Sequence, residues 1–166
     1  QGMKISKRLI LILLVLISCV GCDQATKSIA VSHLPGTEMI SYLGDTLRLQ
    51  LCYNRGAFLG LGHSLPDVLR HSIFTVGICF MLIGALTFAL LSKSGNFYFV
   101  LSISLFISGG IGNLIDRIMN NGTVVDFLNV GIGPLRTGIF NIADVAIMGG
   151  VALLFFTTLR EKKENR

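Results

Sequence analysis

The sequence predicts an all-α membrane protein of four transmembrane helices that carries a small extracytoplasmic β-sheet or hairpin. Three observations predict it. Apolar residues fill 52% of the 166 positions and charged residues only 14%, at a mean hydropathy of +0.72, whereas a soluble domain needs about a quarter to a third of its surface charged. Four stretches, 9–31, 73–91, 97–115 and 139–159, reach the roughly 20 residues that cross a bilayer. Between them, alternating and β-branched segments break the helical period. The chain therefore reads as one integral membrane domain, with a β-region at 37–62 and an outer loop at 116–138.

Taken in order, Gln1-Gly2 ahead of Met3 reads as an expression remnant, with the natural start expected at Met3. The first span is cleanly apolar from Leu9 to Cys22 and then carries Asp23, Gln24 and Lys27, so its outer end must lie at the interface or face protein. Its opening also imitates a secretory signal, with Lys4, Lys7 and Arg8 ahead of an apolar core and Leu16-Ile17-Ser18-Cys19 resembling a lipobox. Three further spans follow, which favours an uncleaved helix. Cys19 and Cys22 form a CxxC inside this helix, and with Cys52 and Cys79 they match no metal or disulfide framework. Cys19, Cys22 and Cys79 read as small apolar filler. After Pro35-Gly36, Ile40 to Leu43, a Gly44-Asp45 turn and the alternating Leu47-Arg48-Leu49-Gln50-Leu51 predict a hairpin reaching about Tyr53. Val124-Val125-Asp126-Phe127-Leu128 is a second β-branched stretch, and the two together predict a small sheet on the outer surface. His33, His63 and His71 read as outer-surface residues, and the charged tail 160–166 as a solvated anchor.

Charge placement predicts orientation. The two ends and the 92–96 connection hold eight basic residues against two acidic, while the remainder holds six against seven. Basic residues stay cytoplasmic, so both termini are expected there and the long connections outside. Topology accounts for the basic balance, and nucleic acid is excluded as a partner.

In so apolar a chain the informative residues are the ionisable ones near the spans, because each costs about 2.5–3.5 kcal/mol at a helix centre. Asp144 is expected five residues into the fourth span, with Asn141 three positions earlier on the same face. Asn113, Asp116 and Arg117 form a polar stripe at the end of the third, behind Gly109-Gly110-Ile111-Gly112, which permits close approach of a helix or a substrate backbone. Helix packing and an interface anchor explain those pieces equally well. Asp126 is harder to explain structurally, because it stands among Val124, Val125 and Phe127. The outer loop can fold back so that Asp126 meets Asp144. Two such carboxylates would share one proton, the working state of an aspartic protease.

Asp23-Gln24-Ala25-Thr26-Lys27, Asn54-Arg55-Gly56-Ala57-Phe58, Gly109 to Arg117, Val124-Val125-Asp126-Phe127 and Phe140-Asn141-Ile142-Ala143-Asp144 resemble the successive motifs of bacterial lipoprotein signal peptidase (signal peptidase II). The resemblance covers nearly the whole chain. It implies a monomeric aspartic endopeptidase of the inner membrane that needs no metal or organic cofactor. Its substrate would be a diacylglyceryl-modified prolipoprotein, cut just before the lipidated cysteine. Membrane lipid is the surrounding partner, and the cyclic peptide globomycin is an expected inhibitor. By matching position the resemblance makes Asp126 and Asp144 the catalytic dyad. Asn54, Gly56, Asn113, Arg117, Asn141 and Ala143 fall in motifs that line the site and hold the substrate backbone. The planar five-donor fork of Arg117 suits a clamp on substrate carbonyls, with a phospholipid-headgroup anchor as the alternative. Asp23 and Lys27 support the site from the first helix, and Asp116 takes a structural role. The chain departs from the pattern at Ala57-Phe58-Leu59, where the family more often has Ala-Ala and an aromatic, and at Val145, where a small polar residue is commoner. Two other classes fit parts of the pattern. A proton or ion pathway would use intramembrane Asp, Asn and Arg but needs no Asp126 in an outer strand, and a membrane adaptor would use only the Gly-rich third helix.

Overall fold

A computed structural model describes residues 2–34, 36, 38–56, 62, 64–92 and 95–164. Among these residues four helices are long and apolar enough to cross a membrane: α1 (Ile5–His33), α2 (Asp67–Leu91), α3 (Phe97–Met119) and α4 (Ile142–Glu164). Between them lies one antiparallel sheet in the order β1 (Ile40–Tyr42), β2 (Leu47–Asn54), β3 (Val124–Ile132) and β4 (Leu135–Arg136). The chain is a multi-pass membrane protein, and the strands of its described residues lie at one end of the bundle.

The helix ends correct the expected spans of 9–31, 73–91, 97–115 and 139–159. Hydropathy registers apolar side chains, whereas a helix continues as long as its backbone and polar side chains find partners. So α3 runs on through Asp116 and Arg117, both buried. It starts at Phe97 because Asn96 Oδ1 accepts the Phe99 N–H at 2.9 Å. The second span starts at Asp67 and passes through a π-helical segment, Ser72–Gly77. The fourth starts three residues late, because Phe140 is still paired with the sheet. The expected outer loop 116–138 contains the last turn of α3 and the strands β3 and β4.

α3 is the central post, and its buried face is small and polar: Ser102, Ser104, Ser108, Gly109, Gly110 and Gly112. The serines return their hydroxyls to the helix's own carbonyls, as in Ser104 Oγ to Val100 O and Ser108 Oγ to Ser104 O, both 2.6 Å. Without a hydrophobic drive between helices in lipid, such faces associate by close packing. A Cβ on Gly109 would lie 2.2 Å from the Ala143 carbonyl oxygen of α4. Apolar packing at the far end of the bundle joins Ile12, Ala89, Val100, Ile103 and Ile107.

Arg8 holds that far end together. Its guanidinium, 4% exposed, donates to Met3 O (2.9 Å), Ala89 O (3.2 Å), Gly95 O (3.3 Å) and Ser92 O. It thus neutralises the last carbonyls of α2 and fastens the α2–α3 connection to α1. Basic counting places Arg8 at this end but does not reveal that it is buried. The cysteines are free, and Cys22 and Cys79 lie exposed on the outside of the bundle rather than filling its interior. His33 and His71 are exposed; His63 lies outside the described residues.

Sheet register carries the site. β3 pairs with β2 so that Asp126 opposes Cys52 and Val124 opposes Asn54, past an irregularity between Leu49 and Cys52. Beyond β4 the chain turns back and pairs a second time: Phe140 N donates to Leu128 O and Phe140 O accepts from Leu128 N, both at 2.8 Å. This return sets Asn141, the next residue, beside Asp126.

Gly109→Ala is expected to force α4 off α3 and to destabilise the protein by about 1–3 kcal/mol. Gly84→Ala on α2, where a Cβ meets nothing within 4 Å, is expected to be neutral. Thermal unfolding in detergent checks the pair, and equal behaviour of the two variants would remove the close-packing argument.

Candidate active site

At the sheet end of the bundle three structural motifs converge. The first is the start of α4. Asn141 caps it, accepting the Asp144 N–H on Oδ1 at 2.9 Å, while Asp144 Oδ2 accepts the Asn141 N–H at 3.2 Å. This reciprocal pair is a capping box with aspartate in the third helical position. Asp144 therefore lies in the first turn of α4, not five residues inside the span as the sequence predicts.

The second is a buried charge cluster. Lys27 Nζ lies 2.8 Å from Asp23 Oδ2, 3.0 Å from Asp116 Oδ2 and 3.1 Å from Asn113 Oδ1, so all three ammonium protons have partners. Asp23 Oδ1 accepts the Ala143 N–H of α4 at 2.9 Å, Asp116 Oδ2 accepts the Val125 N–H of β3 at 2.9 Å, and Gln24 Nε2 reaches Asp116 Oδ1 at 3.0 Å. Asp23, Lys27 and Asp116 are 0%, 3% and 4% exposed, and their charges are engaged with one another and with backbone N–H groups. They hold three helices and a strand in register.

The third is a network of amides around the two aspartates. Asn113 Nδ2 donates to Asp144 Oδ1 at 2.9 Å, and Asn54 Nδ2 donates to Asp126 Oδ2 at 3.0 Å. Asn141 Nδ2 donates to Asp126 Oδ1 at 2.7 Å and to Asn113 Oδ1 at 3.0 Å. Asn141 thus joins both carboxylates, one through its side chain and the other through its backbone. Its amide orientation follows from chemistry, because its oxygen faces an N–H that can only donate.

Burial raises the Asp126 carboxyl to about 6, opposed by the Asn54 hydrogen bond and reinforced by the charge of Asp144. On the opposite strand, burial and the Asp126 charge push the Cys52 thiol up. Asp126 thus holds a proton more tightly than a free carboxylate while keeping two donors for its ionised form.

A cavity of about 690 Å³ leads away from the site between α2, α3 and α4. Asn113, Arg117 and Asp144 line its polar end, and apolar residues such as Ile78, Phe106, Met148 and Phe155 line the rest. Arg117 Nη2 donates to Gly56 O at 2.9 Å, and the Gly56 N–H donates to Asn54 Oδ1 at 2.9 Å. The residues following β2 are thereby fastened to the site, and Ala57-Phe58-Leu59 lie outside the described residues. Ala143 faces Asp23 and Gly112 rather than the cavity. Among the described residues no group of three or more His, Cys, Asp or Glu is arranged to hold a metal ion.

The family model Peptidase_A8, described as Signal peptidase (SPase) II, matches residues 14–160, a span that includes every site residue above. The chain belongs to the signal peptidase II family. It is similar to the lipoprotein signal peptidase of Streptococcus pneumoniae (strain ATCC BAA-255 / R6), 33% identical over 156 residues that cover 94% of this chain and 96% of the relative. That of Treponema pallidum (strain Nichols) is 37% identical over 149 residues, covering 86% of this chain and 79% of the relative. Two solved bacterial membrane enzymes, determined by the in meso method at 2.3 and 1.9 Å, superpose with TM-scores of 0.81 and 0.74. Each is 26% identical; the first alignment covers 100% of this chain and 95% of the other, the second 96% of both.

Among signal peptidase II motifs, Asp23-Gln24-Ala25-Thr26-Lys27 gains a residue with work to do. Gln24 Nε2 bridges Asp23 Oδ2 (3.2 Å), Gly112 O (3.2 Å) and Asp116, a role that sequence reasoning did not assign. Its signal was a third polar side chain in the first span, adjacent to Asp23.

Two predictions follow from this geometry. Lys27→Met leaves two buried carboxylates without their shared cation and is expected to cost about 3–5 kcal/mol, read as loss of folded protein from detergent extracts; a variant as stable as the parent would dissolve the cluster's assigned role. For Asp126, folding raises its pKa from 3.8 to about 6, so the folded state binds more protons in that window and stability falls as pH rises through it. Relative to the parent, Asp126→Asn should therefore gain about 2 kcal/mol between pH 4 and pH 7. Unfolding measured at both pH values tests this, and a pH-independent difference would contradict it.

Proposed function

We propose that this chain is an aspartic endopeptidase that removes the signal peptide from diacylglyceryl-modified prolipoproteins, cleaving N-terminal to the lipidated cysteine. Asp126 and Asp144 are its catalytic pair. The observation that carries the reading is Asn141, which hydrogen-bonds both carboxylates where an apolar cavity ends.

The pair carries one proton between them. Its ionised member takes a proton from a water, which attacks the scissile carbonyl. The protonated member gives its proton to the carbonyl oxygen; as the tetrahedral intermediate collapses and the C–N bond breaks, it takes that proton back, and the first member passes the proton it took from water to the departing amine. Four fixed amide donors hold the two carboxylates, so little reorganisation is needed at the moment of reaction. Asn113, Arg117, Asn54 and Gly56 stand around them as substrate-positioning groups, and Asp23, Lys27, Asp116, Asn141 and Ala143 position the pair.

The apolar cavity suits a substrate that arrives as a hydrophobic helix with its cut site at the membrane interface. Lipid on the cysteine adds about 0.8 kcal/mol of membrane affinity per buried CH₂, so enzyme and substrate meet by lateral diffusion. The basic termini and the 92–96 connection support a cytoplasmic (inner) membrane location with both ends inside and the sheet and site at the outer face. In this reading the enzyme works as a monomer surrounded by membrane lipid, and globomycin occupies the site as a peptide inhibitor.

Asp126→Asn and Asp144→Asn are each expected to lower cleavage of a lipid-modified prolipoprotein in liposomes by about 10⁴-fold or more while leaving the protein folded, given the non-additive losses seen when a catalytic unit is broken. Turnover retained in either variant rejects the pair. The parent's kcat/KM should fall as pH rises through about 6, where Asp126 loses its proton; a rate that stays flat from pH 5 to 8 would remove the shared proton from the mechanism.

A further inference from the structure

Beyond the catalytic site, with Phe74 in its wall, lies a second cavity of about 430 Å³ lined by Arg55, Asp67, Arg70, His71 and Asn121. Phe74 also faces the other way, its ring centroid 6.0 Å from the Arg117 guanidinium carbon. The peptidase chemistry uses none of the cavity's other residues.

The charge of this cavity is specific. Arg70 pairs with Asp67 and donates to Leu65 O at 3.2 Å, while Arg55 is exposed and has no ion-pair partner among the described residues. Two guanidinium groups against one carboxylate leave one positive charge, beside an imidazole and the Asn121 amide. A monoanionic phosphodiester neutralises that balance, and arginine's planar fork matches phosphate oxygens.

Its position is equally specific. The cavity opens where α2 begins and α3 ends, the sheet end of two spans and hence the membrane–water boundary. Beside it Val68, Leu69, Ile118 and Met119 are 81%, 47%, 67% and 75% exposed. A basic cavity next to exposed apolar side chains at this depth fits an amphiphile with an anionic head and acyl tails. Free phosphate satisfies only the first half of that pattern.

We propose that this cavity binds the phosphodiester headgroup of an anionic membrane phospholipid, its acyl chains lying against Val68, Leu69, Ile118 and Met119. Arg55 stands between Asn54, which donates to Asp126, and Gly56, which accepts from Arg117. A bound headgroup therefore steadies the segment that supplies a donor to the catalytic site.

The test uses the full chain in detergent, titrated with dioctanoyl phosphatidylglycerol and followed by native mass spectrometry. Dioctanoylglycerol, with the same tails and no phosphate, and inorganic phosphate serve as comparisons. Because binding is read without turnover, its failure leaves the proposed peptidase reading untouched. Phosphatidylglycerol is expected to saturate one site, Arg55→Gln to weaken it about tenfold or more, and dioctanoylglycerol not to saturate. Arg70→Gln should weaken binding similarly; should it fail to fold, Arg55→Gln and Arg55→Glu decide alone. Undiminished binding in the Arg55 variants, or equal binding of dioctanoylglycerol, overturns the proposal. Displacement of the lipid by an equal concentration of inorganic phosphate also overturns it, in favour of a free-phosphate site.

Discussion

Lys27 is an ammonium group with every proton engaged, held inside a bundle that lipid surrounds. Its contacts to Asp23, Asp116 and Asn113 are the hub from which the sheet end of the molecule is organised. Asp23 passes the constraint to the Ala143 N–H in the first turn of α4, Asp116 passes it to the backbone of β3, and Asn113 passes it to Asp144. No element can leave alone without stranding a charge away from water, at a cost of several kcal/mol. The cluster therefore specifies one relative placement of α1, α3, α4 and β3, although its net contribution to stability is small.

The same hub shapes the chemistry available to the two aspartates. An ammonium in direct contact with Asp144 or Asp126 would hold that carboxylate ionised. Asn113 stands between instead, accepting from Lys27 on its oxygen and donating to Asp144 from its nitrogen. The cation's influence reaches Asp126 only as a weak opposing effect, and burial prevails to lift its carboxyl to about 6. The amides give the ionised forms their donors without fixing where the proton resides.

Packing makes this placement reachable. The glycines of α3 let α4 and the Asp23 carboxylate approach to distances that a methyl group would block, with Asp23 Oδ2 only 2.7 Å from where a Cβ on Gly112 would sit. At the other end Arg8 ties α1 to the exit of α2. One end of the bundle is thus closed by an arginine on backbone carbonyls and the other by a lysine between carboxylates. The apolar cavity between α2, α3 and α4 lies along the span between them.

Composition, hydropathy and the order of the motifs were enough to determine a membrane protein of four spans with a small sheet, the family, and which polar residues call for an explanation. These properties are local: an apolar run needs a bilayer wherever it folds, and a buried Asp or Asn in such a run needs a reason. What only the tertiary structure decided is which polar residues meet. Asp144 sits in a capping box rather than deep in a span because β3 pairs again with Phe140 and delays the start of α4. Gln24, legible as no more than a polar residue in a greasy helix, and Arg8, legible only as a basic residue ahead of it, became bridges because partners 81 to 92 positions distant arrived beside them. Such meetings depend on strand register and on how closely the helices pack, which arise from packing the whole chain and leave no periodic trace along it.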